Sequence, residues 1–303
     1  MTAVTRRPEG RRRARRSDDT RLALLFILPA GIGLAVFIIW PLIRGIQLSF
    51  TKYNMLTPAE FNGVENYVRM FQDPVFWHSV RVTLYFVVLN IVVQMVFALV
   101  IAVLMHRLTQ SSFVRGIVLS PYLMANVVAG MLFLWILDYQ MGIGNHVLEW
   151  MGLDKLAFFN DPDLAMPTIV LVNVWRHVGY TALLIFAGLQ MIPATVYEAA
   201  KLDGASETAM FFRITVPLLR PILALVLIVS VIGSFQVFDT VAVTTAGGPG
   251  NATQVLQYYI YDVAFGRFQF GYAFAMSVAL LVLLSVITFV QYRLTRADSS
   301  DLD

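Results

Sequence analysis

The sequence predicts an all-α polytopic membrane protein with six transmembrane helices. Three observations carry this: a lipid-like composition, six apolar runs of spanning length, and a skewed distribution of positive charge. Of 303 residues, 58% are hydrophobic and only 14% charged, with a mean hydropathy of +0.71. A soluble domain carries about 25% charged residues. A bilayer core about 30 Å thick takes about 20 mostly apolar residues as helix, because only a helix satisfies its own backbone there.

The runs fall at about 22–43, 82–105, 116–138, 167–190, 221–243 and 271–292. Together they form a six-helix membrane domain over 22–292, between a basic segment 1–21 and a tail 293–303. Pro29 and Pro41 lie within the first run, while Pro167 and Pro221 stand at the start of two others. Those positions suit kinks or first helical turns. The fourth run holds Arg176 and His177, and the fifth holds Asp239.

Lys and Arg number fifteen over 1–21, 106–115, 191–220 and 293–303, against six over 44–81, 139–166 and 244–270. The positive-inside rule places both termini and the 191–220 loop in the cytoplasm. The start RRPEGRRRARR reads as a topology anchor against anionic lipid rather than a nucleic-acid site. The apolar run after Arg21 is too long for a signal-peptide core and ends without an A-x-A site. Aromatics in the outer connections, such as Trp77, Trp150 and Phe159, suit an interfacial belt, with docking of an external partner as the alternative.

Metal chemistry has little support. There is no Cys, and the four His are scattered with no H-x-x-x-H pair. The only lysines, Lys52, Lys155 and Lys201, do not follow glycine. A G-K-[ST] phosphate loop is therefore excluded. No catalytic residue, metal or cofactor is expected on this chain.

The loop 191–220 is richer than a connector needs. Thr195-x-x-Glu198 reads as a capping box opening a helix from Val196 to about Asp203, and Gly204 suits a left-handed stop. Ser206 is positioned to cap a second helix carrying Met210, Phe211, Phe212 and Ile214, which Pro217 is expected to end. Two-turn helices are marginal in water, so the loop packs either on its own bundle or on a partner.

The spacing Glu198-Ala199-Ala200-x3-Gly204-x9-Ile214-x-Val216-Pro217 resembles the EAA motif of ABC importer membrane subunits, with Val216 the one departure. The runs Asn173–Pro221 and Phe238–Ser277 look like the sugar-importer branch, of maltose and glycerol-phosphate type. The resemblance implies a type I importer permease fold. It also implies that Glu198, Ala199, Ala200, Asp203 and Gly204 form a coupling helix seated on an ATP-binding subunit. The partners implied are two ATPase copies that bind ATP and Mg, a second permease that is a homologous but different chain, and an external solute-binding protein.

For a substrate path, Asn173, Trp175 and Tyr180 match an N-x-W-x4-Y run of the maltose permease, with Arg176 and His177 departing from it. Ser234 matches a polar position of the family, whereas Gln236 and Asp239 are singled out by polarity alone. Ser234 and Gln236 serve equally well as bonds between helices. Arg176 and Asp239 are costly in lipid, so they are expected to pair, or Arg176 to meet an anionic solute such as a phosphorylated polyol. A secondary transporter or channel, and a membrane enzyme built on Arg176, His177 and Asp239, are the competing readings.

Overall fold

The computed structural model describes residues 25–109 and 111–297. The basic start and the last six residues of the tail lie outside them. Five helices are long and apolar enough to cross a membrane: Leu25–Ser49, Pro74–Leu108, Pro162–Gln190, Glu207–Thr244 and Phe270–Leu294. A bent pair, Ser112–Leu123 with Asn126–Ile136, is long and apolar enough to make a sixth when its two arms are taken together.

In chain order, α1 (Leu25–Ser49) leads to a short hairpin, Thr51–Lys52 against Glu60–Phe61. Then come α2 (Glu65–Gln72) and α3 (Pro74–Leu108). The pair α4 (Ser112–Leu119) and α5 (Asn126–Ile136) follows, and then α6 (Ile143–Trp150) and α7 (Pro162–Gln190). The loop helix α8 (Ala194–Leu202) precedes α9 (Glu207–Met210), which continues through a π turn (Phe211–Thr215) into α10 (Val216–Phe235). Last are α11 (Asp239–Thr244), α12 (Leu256–Tyr261) and α13 (Phe270–Ala297).

The expected third span, 116–138, is not one helix. Ser120–Leu123 forms a 3₁₀ turn, Met124 and Ala125 are extended, and the two arms meet at 91°. Pro121 explains the place: its ring removes an amide donor and crowds the preceding turn. The first arm still packs tightly, since a Cβ at Gly179 of α7 would overlap the Val118 carbonyl oxygen. Only glycine allows that approach.

Prolines also mark two π turns, Ala35–Ile39 and Phe211–Thr215, which end two residues before Pro41 and Pro217. Pro217 therefore does not end the loop's second helix. The wider turn absorbs the missing donor, and the Thr215 hydroxyl donates to the Met210 carbonyl at 3.3 Å. The chain runs on into the membrane as one helix.

Two apolar cores fill the bundle. Nearer the α8 end, Ala98, Ala102, Ile185, Leu189 and Leu219 close the first. Towards the opposite end, Phe86, Ile169, Val241, Tyr259 and Met276 close the second. Between them lies a polar layer formed by Asn90, Gln94, Thr181 and Ser234, all buried. By contrast α1 has none of its most apolar stretch buried within this chain.

Candidate functional site: an intramembrane cavity and an exposed loop helix

The polar layer opens into a cavity of about 210 Å³ between α3, α7 and α10, with Tyr122 of the bent span at its edge. α7 contributes Asn173, His177, Tyr180 and Thr181; α10 contributes Ser230 and Ser234. Positions 173, 177, 180 and 181 share one helical face. Asn173, Tyr180 and Ser234 are thus brought together, as the sequence grouped them.

Three other predicted residues stand elsewhere. Trp175 packs edge-on against Phe133, with ring centroids 5.0 Å apart. Gln236 is exposed at the end of α10. Asp239 opens α11 after a break at 236–238 and accepts from Asn126 Nδ2 at 2.9 Å. It does not hold a salt bridge to Arg176.

Arg176 has a different partner: the broken span. Its Nε donates to the Met124 carbonyl at 2.8 Å and an Nη to the Tyr122 carbonyl at 3.2 Å. The bend exposes these acceptors, and a planar fork reaches both. A third N–H reaches His177 Nε2 at 2.8 Å, while His177 Nδ1 lies 2.9 Å from the Asn173 carbonyl. Arginine only donates, so Nε2 accepts, and Nδ1 carries the proton given to Asn173. The imidazole is neutral. The guanidinium also lies 5.3 Å from the ring centroid of Tyr122, which stacks on Tyr180 at 4.5 Å and meets His177 edge-on at 5.8 Å.

Sequence reasoning missed Asn90, Gln94, Tyr122, Thr181 and Ser230. Asn90 Nδ2 donates to Gln94 Oε1 at 3.2 Å and to Ser234 Oγ at 3.0 Å. Gln94 Nε2 donates to Thr181 Oγ1 at 2.8 Å. Two amides four residues apart in an otherwise apolar span were a readable signal, because such groups seek partners in lipid.

At the loop, α8 starts at Ala194 after Pro193, with no side-chain cap. The expected Thr195–Glu198 capping box is therefore absent. Pro193, with its fixed φ, sets the entry instead. The C-terminus matches expectation: Gly204 has φ +77°, its N–H donates to the Lys201 carbonyl at 3.0 Å, and Ala205 N–H donates to Ala200 at 2.9 Å. This is the paired closure of a Schellman motif. Ser206 Oγ then accepts from Ala209 N–H at 3.2 Å, as an N-cap.

Ala200 is buried against the bundle, whereas Glu198, Ala199, Asp203 and Gly204 are exposed. Leu202, at 89% exposure, projects an apolar side chain outward. The inner side is held by a bond between the Tyr197 and Thr215 hydroxyls at 3.0 Å, and Arg107 pairs with Glu207 at 2.8 Å.

A bundle of membrane-length helices enclosing an uncharged polar cavity, with a capped helix presented beyond one end, defines a polytopic permease. The chain belongs to the family described as binding-protein-dependent transport system inner membrane component, which matches residues 76–297. It is 35% identical to the sulfoquinovosyl glycerol transport system permease protein SmoG of Agrobacterium fabrum, over 92% of this chain and 91% of that one. It is 33% identical to the lactose transport system permease protein LacF of Rhizobium radiobacter (90% and 93%). Identity is also 33% to the sn-glycerol-3-phosphate transport system permease protein UgpA of Brucella abortus (90% and 94%). A bacterial ABC transporter importing the acidic polysaccharide alginate shares the fold, with a TM-score of 0.84 at 24% identity over 95% of this chain and 100% of that one.

Proposed function

We propose that this chain is the membrane-spanning subunit of an ATP-driven importer of a sugar or sugar-like solute, an oligosaccharide, monosaccharide or polyol phosphate. An external binding protein delivers the solute, a second permease completes the path, and two ATPase subunits holding ATP and Mg seat the loop helix. Both termini and α8 face the cytoplasm.

The observation that carries the reading is continuity. The helix that begins at Glu207, just past the exposed α8, runs unbroken to Phe235 and places Ser230 and Ser234 on the cavity wall. Glu198, Ala199, Asp203 and Gly204 offer small and charged groups to a facing groove, with Leu202 as an apolar contact. ATP favours one conformation only by binding its two states with different affinity. Movement of the docked helix is then transmitted along α9 and α10 to the solute. Asn173, Tyr180 and Ser234 contact solute directly, and Arg176 and Asp239 hold the bent span beside it.

The test is the pair Glu198→Arg and Gly204→Val, expressed with the neighbouring transport genes. Uptake is expected to fall at least tenfold, with membrane insertion and abundance unchanged. The ATPase should co-purify with the tagged parent and be lost from the variants. Wild-type uptake by both variants would overturn the coupling role.

A further inference from the structure

We infer that the cavity selects an uncharged polyhydroxyl solute and disfavours phosphorylated, sulfonated or carboxylated ones. This rests on the transport reading above and narrows it.

The cavity wall is made of amides, hydroxyls, aromatic rings and aliphatic groups; among the described residues no Asp, Glu, Lys or Arg lines it. The one ionisable side chain besides tyrosine is His177, and its two nitrogens are fixed in the neutral state by Arg176 and the Asn173 carbonyl. Arg176 is the cation an anionic solute would need. It does not line the cavity, and three of its N–H groups are committed to Met124, Tyr122 and His177. Turning it towards a solute would strip two backbone carbonyls at the bend of their donor, in a place where water is scarce.

The polar groups also have a direction. Asn90 is 1% exposed and lines the cavity, and its Oδ1 has no partner among the described residues. Its Nδ2 is already spent on Gln94 and Ser234. A buried carbonyl oxygen without a donor is satisfied by a solute hydroxyl and repels an anionic oxygen. Tyr180 lines the cavity, and the face it does not stack on Tyr122 suits the apolar side of a sugar ring. A desolvated anion would find no counter-charge there.

A deletion strain and its complemented parent, both retaining the other transport genes, are incubated with a defined mixture. It contains lactose, trehalose, maltose and glycerol beside sn-glycerol-3-phosphate, glucose 6-phosphate, sulfoquinovosyl glycerol and alginate oligosaccharides. Mass spectrometry reads chain-dependent depletion. The expected result is depletion of uncharged members only, and at least tenfold slower depletion of the same solute by Asn90→Asp, with normal membrane abundance. Chain-dependent depletion of an anionic member at a comparable or higher rate overturns the inference while leaving the importer reading intact. Wild-type depletion by Asn90→Asp also counts against it, because a carboxylate would then be tolerated in the wall. If no carbohydrate of either kind is depleted in a chain-dependent way, the sugar reading itself fails, and this inference with it.

Discussion

Arg176 shows what a single residue reveals and conceals. Its intramembrane charge demanded partners, but the nearest rule, opposite charge, pointed to Asp239. The partners are two backbone carbonyls at the bend, and nothing in the side chain of Met124 announces that its carbonyl is free. Leaving a buried acceptor unpaired costs about 1–3 kcal/mol. Arg176→Leu is therefore expected to lower the detergent melting temperature by several degrees. Arg176→Lys should recover only part, because an ammonium is a point donor and not a fork. The double exchange Arg176→Asp with Asp239→Arg should not restore uptake; restoration would show that the two charges do pair.

Among elements, helices were legible wherever apolar residues ran on without interruption: α3, α7 and α13 contain the runs 82–105, 167–190 and 271–292. Proline made the rest harder. Pro121 broke a span, whereas Pro217, read as a stop, sits beyond a π turn inside a continuing helix. The difference lies in whether a wider turn and a donor such as Thr215 absorb the lost bond, which depends on neighbours in space. The cavity was half legible for a related reason: α7 advertised its polar face through several groups, whereas α3 signalled only through two amides four residues apart in a strongly apolar run.

A second element-scale feature is the junction at Asp73. It caps α3 through Val75 N–H at 2.8 Å and accepts from the hydroxyls of Tyr259 at 2.6 Å and Tyr272 at 2.7 Å. One carboxylate thus ties the starts of α3 and α13 to α12. Burial pushes this carboxyl up, but the two tyrosine and the backbone hydrogen bonds outweigh it and leave it below the ordinary range. The sign follows. The ionised form is favoured in the folded state, so its stabilisation is complete above the unfolded value of about 4 and fades as pH falls through the lowered folded value. Melting temperature should be level from pH 7 to about 5 and decline below about 4. Asp73→Asn should melt lower at pH 7 and show a shallower acid decline; an unchanged acid limb would mean the junction does not hold the three helices together.

For the whole molecule, the proposed import cycle requires that work done at one end reach a solute held in the middle. From Glu207 to Phe235 the helix spans about 43 Å at 1.5 Å per residue, with α8 at its base and Ser234 near its tip. Around it the packing is tight: a Cβ at Gly188 of α7 would lie 2.9 Å from Ile222 and 3.1 Å from Leu219. Such close contacts favour a shift of the rod against α7 as a body over a local bend. Its softest place is the π turn, held by the hydroxyls of Thr215 and Tyr197. Replacing Arg213 and Ile214 with glycine should loosen that turn, since each glycine costs about 1 kcal/mol in a helix, without touching the cavity or the exposed face of α8. In proteoliposomes holding the whole transporter, ATP hydrolysis is expected to continue while solute uptake per ATP falls severalfold. If uptake per ATP is unchanged, force does not travel along this helix, and another contact between the loop and the bundle must carry it.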